Sequence, residues 1–232
     1  MKTVGIIGGM SFESSILYYE TMNRIVRERL GGLQSLPILM TSVNFAPYAK
    51  LQEQEDWRAI GTALQKEARR LEDAGADMIV MATNTMHTAA DTISEGLTVP
   101  FIHIGEVTAD EINEKGYQRV ALLGTRFTME QPFYREKLIQ QGIDVLIPNE
   151  EDRRYIHDAV FHELCMGQFK DVTKSGFLDI IDRLIHDGAE AIVLGCTEIP
   201  LLIHDGDTPV PVINTSDIHA KAAVAFALEK DQ

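Results

Sequence analysis

Two residues of this chain end apolar runs in polar turns, and they differ in the property that matters most for moving a proton. Cys196 closes AIVLG and opens Cys-Thr-Glu; Thr83 closes MIVMA and opens Thr-Asn-Thr. A free thiol ionises near pH ~8.5, whereas a threonine hydroxyl is a far poorer acid and base near neutrality. Cys196 precedes Thr197-Glu198-Ile199-Pro200, where a turn or helix begins. Backbone N–H groups and the positive end of a helix dipole there are expected to lower the thiol pKa. An inert buried cysteine is the competing reading, because free cysteine is often buried; the polar run at the strand end favours a functional thiol. Cys165, inside IHDAVFHELCMGQF, lacks such a setting and reads as structural. Thr83-Asn84-Thr85 reads as a helix cap and, through the N–H groups that a cap exposes, as a carboxylate site. His87, four residues after Thr83, reads as hydrogen-bonding support ahead of acid/base work.

The opening Gly8-Gly9-Met10-Ser11 follows a strand and starts a helix, but the spacing G-x-G-x-x-G of a dinucleotide site is absent. The glycines let backbone approach a small carboxylate instead, with Gly124-Thr125 as their counterpart later in the chain. Only two cysteines occur, with no C-x-x-C pair and no His/Cys cluster at ligand spacing, so no disulfide scaffold and no metal site is expected.

The elements that carry these residues repeat. Short β-branched runs (TVGIIG, ILMTSV, MIVMAT, PFIHI, RVALLG, DVLIP, AIVLGC, PVINT) alternate with helix-like segments, which is the βαβ rhythm of an α/β protein with parallel sheets. Helical periodicity is clearest in 56–74 and 176–187, the latter placing Phe177, Ile180, Ile181, Leu184 and Ile185 on one face. Laid on itself, the chain matches three times in order. VGIIG at Val4 meets VALLG at Val120, an offset of 116 that also puts Tyr18 on Tyr134. DAGADMIVMATNT at Asp73 meets HDGAEAIVLGCTE at His186, an offset of 113 that puts Thr83 on Cys196. VPFIH at Val99 meets VPVIN at Val210, an offset of 111. Any single match could be the common look of βα units; three in register point to two copies of one half. Ligands of parallel sheets bind beyond the carboxyl ends of strands, so the expected site is one cleft between two lobes, with Thr83 and Cys196 on opposite sides.

A chain of 232 residues with 45% apolar and 24% charged residues is globular. Its formal charge of −14 and lack of a Lys/Arg run argue against a nucleic-acid partner. The start, MKTVGIIGGMSFES, falls short of the ~7 to 15 residue apolar core of a signal peptide, and no run nears the ~18 apolar residues of a membrane span, so a cytoplasmic protein with no membrane partner is expected.

GIIGGMSFES, ATNTMH, LLGTRFTMEQPFY, HELCMGQF and LGCTEIPLL together resemble the cofactor-independent aspartate/glutamate racemases, whose superfamily includes glutamate racemase, hydantoin racemase and maleate isomerase. The chain looks most similar to the enterobacterial-type aspartate/glutamate-specific enzymes. The resemblance implies two Rossmann-like α/β lobes with parallel sheets related by a pseudo-twofold, drawn as 1–98 plus 212–232 for one and 99–211 for the other, with the helix DIHAKAAVAFAL crossing back to the first. It also implies no cofactor, no metal and a homodimer, with a small dicarboxylic amino acid as substrate. Carried over position by position, it implies catalytic roles for Thr83 and Cys196. Substrate contacts fall on Met10, Gln52, Asn84, Thr85, Thr125, Thr197 and Glu198, and Lys170 would grip the side-chain carboxylate. Most of the family has cysteine at both catalytic positions, so Thr83 is the departure, and no arginine lies between Thr41 and Gln52 to hold a distal carboxylate. The expected reaction is proton abstraction and return at an α-carbon. A single-thiol isomerase or decarboxylase of a small diacid, and a carboxylate-binding module with a decayed catalytic pair, are the alternatives.

Overall fold

A computed structural model of the chain describes residues 1–229. It divides into two compact units, Met1–Ile104 with the segment from His219 onward, and Gly105–Ile218. The first contains β1 (Val4–Gly8), α1 (Phe12–Leu30), β2 (Ile38–Ser42), α2 (Phe45–Glu53), α3 (Trp57–Asp73), β3 (Met78–Met81), a 3-10 turn at Thr85–Ala89 and α4 (Ala90–Ser94). At the boundary begins α5 (Ile104–Glu114); then come β4 (Arg119–Gly124), α6 (Arg126–Glu130), α7 (Pro132–Gln140), β5 (Asp144–Leu146), α8 (Glu150–His162), α9 (Asp171–His186), β6 (Ala191–Gly195) and β7 (Val212–Asn214). Helix α10 (Thr215–Leu228) follows β7 and enters the first unit at His219.

Each unit holds one parallel sheet, ordered β2-β1-β3 in the first and β5-β4-β6-β7 in the second. The central strands VGIIG and AIVLG are buried at every position, as expected where helices cover both faces of a sheet. Helix α3 starts where Asp56 accepts the Ala59 N–H at 3.0 Å, and it buries Ile60, Leu64, Ala68 and Leu71, one stripe at helical spacing. In α9 the expected face is present through Phe177, Ile180, Ile181 and Leu184, but the helix begins at Asp171, before the 176 read from periodicity.

The doubled G-A-[DE] stretch builds the same junction in each unit. Gly75 (φ +96°) and Gly188 (φ +99°) leave α3 and α9 in the left-handed region open to glycine. The N–H groups of Ala76 and Ala189 return to Leu71 and Leu184, closing each helix with a Schellman turn. The acidic residue that follows then grips the start of the neighbouring strand. Asp77 accepts the Thr3 N–H at 2.6 Å, and Glu190 accepts those of Gln118 and Arg119 at 2.6 and 3.1 Å, bonds that hold the Glu190 carboxyl below the usual range.

Two expectations need correction. PFIHI is not a full strand: Phe101 makes one bridge to Ile79, with Ile79 N–H on Pro100 and Ile102 N–H on Ile79, before α5 takes over at Ile104. The unit boundaries lie at Ile104/Gly105 and Ile218/His219, not at 98/99 and 211/212. That bridge ties 100–102 to the first unit, and β7 pairs with β6 and so belongs to the second.

The final helices of the two sequence halves are exchanged. Tyr18 on α1 hydrogen-bonds His219 on α10 at 2.9 Å, and Ala220, Ala223, Val224 and Ala227 join the buried cluster of Val4, Ile6, Tyr18 and Met22. In the second unit the matching Tyr134 on α7 donates to Thr108 on α5 at 3.0 Å. Thr108 and His219 are themselves 111 residues apart, the offset of the third sequence match.

Candidate active site

In the second unit, β4 and β6 end side by side, with Gly124 opposite Gly195. A Cβ on Gly124 would stand 2.8 Å from the Gly195 carbonyl, so the two glycines are what let these strand ends, and the Thr125 and Cys196 that follow them, lie against each other. Thr125 caps α6, its hydroxyl accepting the Thr128 N–H at 3.3 Å. Cys196 is buried, and its thiol donates to Glu198 Oε2 at 3.1 Å; Thr197 Oγ1 donates to the same oxygen at 2.8 Å. All three side chains of the Cys-Thr-Glu run are therefore joined at one buried carboxylate oxygen.

The expected lowering of the thiol pKa is reversed. Burial, and then the Glu198 charge, push the Cys196 thiol well above its ordinary value. No α-helix starts behind it, only a 3-10 turn at Ile199–Leu201, so the helix dipole expected there is missing. Cys165 lies close enough to add to the same upward push. Lys170 gives its charge to Glu163, with Nζ 3.0 Å from Oε1, and Thr173 donates to the other oxygen. These bonds lower the Glu163 pKa, and the lysine expected to grip a substrate carboxylate already holds one of the chain's own.

In the first unit, Thr83, Asn84 and Thr85 are buried at the end of β3. Thr83 Oγ1 makes no hydrogen bond among the described residues, while the Thr83 carbonyl accepts from His87 Nδ1 at 2.8 Å. The other ring nitrogen of His87 accepts the Ile104 N–H at 3.3 Å, which fixes the tautomer with the proton on Nδ1. Burial, then the neighbouring His103 and His219, hold the His87 pKa well below its ordinary value, so the ring is neutral. Gln52 is the one buried side chain of α2.

The glycine-rich opening differs from its expected role. The Gly9 N–H donates to Ser15 Oγ at 2.8 Å and so is already used. At φ +91° a Cβ on Gly9 would stand 2.3 Å from the Val43 carbonyl, so this glycine serves the packing of β1 against the chain after β2. Met10 sits in the apolar cluster of Ile7, Ile60, Met81 and Met86, leaving its backbone for any ligand contact. His219, which donates from Nε2 to the Ile102 carbonyl at 2.9 Å and joins His87 and His103, was not singled out in the sequence. Its offset of 111 from Thr108 was the available signal.

Among the described residues, no group of three His, Cys, Asp or Glu is placed to hold a metal ion, and no helix is long and apolar enough to cross a membrane.

A parallel α/β unit ending in polar strand termini, made twice, is the architecture of known racemases. The sequence profile of the Asp/Glu/Hydantoin racemase family matches residues 7–223, and the chain belongs to this family and so to the racemase class of enzymes. A candidate Asp/Glu racemase from Yersinia pestis is 42% identical, with a TM-score of 0.93 over 99% of this chain and 100% of that one. An aspartate racemase homologue from Pyrococcus horikoshii is 35% identical, with a TM-score of 0.86 over 99% and 100%. The broad-specificity amino-acid racemase of Bacillus subtilis is 22% identical over 97% of this chain and 98% of its own.

Proposed function

We propose that the chain is a cofactor-independent racemase of aspartate, glutamate or both, with Cys196 working on one face of the α-carbon and Thr83 on the other. The observation that carries this reading is the Cys196 thiol held 3.1 Å from the buried Glu198 carboxylate. A buried thiol has no use as a base unless its proton has somewhere to go, and Glu198 is a receiver within hydrogen-bond reach. The resulting thiolate removes the α-proton of the L enantiomer; the buried polar residues Asn84, Thr85, Thr125, Thr197 and Gln52 are the proposed substrate contacts. Thr83 returns a proton on the opposite face, from its hydroxyl or from a water that it holds; solvent replaces that proton, and the one left on Glu198 is released to solvent. Because the hydroxyl is the weaker acid and base, the two directions run at unequal rates. A homodimer belongs to the same proposal and is read by sedimentation.

The test is one-dimensional proton NMR of L- and D-aspartate and glutamate with the protein in heavy water. Exchange of the α-proton is expected to be fast from L, slow from D, and lost in Cys196→Ser, with the two rates drawing together in Thr83→Cys. Equal rates from both enantiomers in the wild type exclude the asymmetric pair, and turnover of maleate or a substituted malonate without amino-acid exchange moves the reaction to a single-thiol isomerase or decarboxylase.

A further inference from the structure

We infer that His87 is a positioning residue for the Thr83 face of the reaction: its neutral imidazole bridges the Thr83 carbonyl and the first N–H of α5, and so fixes where the Thr83 hydroxyl stands. The inference rests on the racemase reading above and assigns a role to a side chain that touches no reacting atom.

Three observations carry it. The ring is fully enclosed and both nitrogens are used, Nδ1–H on Thr83 O at 2.8 Å and Nε2 on Ile104 N–H at 3.3 Å. Ile104 is the first residue of α5, and the segment leading to it is pinned by independent bonds: the bridge of Phe101 to Ile79, and His219 Nε2–H on the Ile102 carbonyl. One end of the imidazole is therefore anchored to fixed backbone, and the other end holds the strand terminus that bears Thr83.

The comparison within the chain is the third. Ile104 corresponds to Thr215, the first residue of α10, at the offset of 111. There the link from helix start to strand is direct, with Thr215 Oγ1 on the Leu194 carbonyl of β6 at 2.9 Å. The position matching His87 is Pro200, which carries no donor. The same join between a helix start and a catalytic strand is made by a hydroxyl on the Cys196 side and by an imidazole on the Thr83 side. A thiol responds to its field and to Glu198. A bare hydroxyl without a hydrogen bond of its own depends on placement, and a shift of about 1 Å can cost on the order of a hundredfold in rate.

Two near-isosteric variants separate the ends of the bridge. Asparagine places its amide where Nδ1 stands and keeps the bond to Thr83; glutamine reaches the Nε2 position and keeps the bond to Ile104. His87→Gln is expected to lower α-proton exchange from D and conversion of L to D by about ten- to a hundredfold, while exchange from L stays within about threefold. His87→Asn is expected to restore the D-side rate to within about threefold of wild type. Parallel loss of both exchanges in the two variants, or no loss in either, overturns the positioning role while leaving racemisation standing. A wild type that exchanges no α-proton overturns the racemase reading and this inference together. Nitrogen-15 NMR of the wild type adds a readout that needs no variant to fold: His87 is expected neutral with its proton on Nδ1, and a proton found on Nε2 removes the bridge.

Discussion

A carboxylate 3.1 Å from a thiol does two opposite things to it. Its negative charge opposes ionisation, and its oxygen offers the departing proton a place to go. Replacing Glu198 by glutamine should separate the two. The pH midpoint for alkylation of Cys196 by iodoacetamide is expected to move to lower pH, because a like charge has been removed, while racemisation falls on the order of a hundredfold for want of the acceptor. A variant whose alkylation midpoint stays put would remove the Glu198 charge from the causes of the raised pKa. The Cys-Thr-Glu run was legible as a candidate site because it places three polar side chains directly after a buried strand. The direction of the thiol shift was not, since it depends on full burial and on a carboxylate turning back over two residues. Neither is a property of spacing.

At the level of elements, the repeated G-A-[DE] is architecture, and the proposed chemistry falls to the three residues after each strand. Its glycine stops a helix, its alanine is buried beneath the turn, and its acid fastens the start of the neighbouring strand. A Cβ at Gly75 would meet nothing within 4 Å, so Gly75→Ala isolates the backbone cost of a positive φ. It is expected to destabilise by about 1–2 kcal/mol and to lower the melting temperature by about 2–8 °C, with the exchange kinetics unchanged. Gly9→Ala should cost more, since a Cβ there adds a 2.3 Å clash with the Val43 carbonyl to the same backbone strain. Sequence periodicity found both sheets because fully buried strands are continuous apolar runs. It overstated PFIHI, because an apolar run does not reveal that a helix begins at its fifth residue.

Across the whole molecule, the enclosed histidines tie stability to pH. His219 is fully buried, with Tyr18 donating to Nδ1, the Ile102 carbonyl accepting from Nε2 and the neutral His87 ring beside it; its pKa is lowered to about 4, mainly by burial. A histidine with a depressed folded pKa binds its proton more readily in the unfolded chain, so its stabilising share is complete above the unfolded value of ~6.5 and is lost as pH falls toward 4. That share is about 3 kcal/mol for His219, and His87 shifts in the same direction. Denaturant midpoints are expected to fall between pH 6.5 and 4, with a shallower slope in His219→Gln; identical slopes would place the acid sensitivity elsewhere. The doubling itself was legible as offsets of 116, 113 and 111, and the return of the last helix to the first unit followed from the family resemblance, but the passage of α5 into the second unit was not read. Local pattern says that a helix has an apolar face without saying which sheet receives it.

That exchange bears on how the polypeptide is made. Gly105–Ile218 is one unbroken stretch, whereas Met1–Ile104 lacks its covering helix until His219 and the residues after it are added. During synthesis the later stretch can close first, and the earlier one waits with Val4, Ile6, Tyr18 and Met22 uncovered for the length of a whole intervening unit. The first unit is thus the part of the nascent chain left open longest to chaperones and proteases, and a chain cut short just before His219 would hold a finished second unit and an open first one.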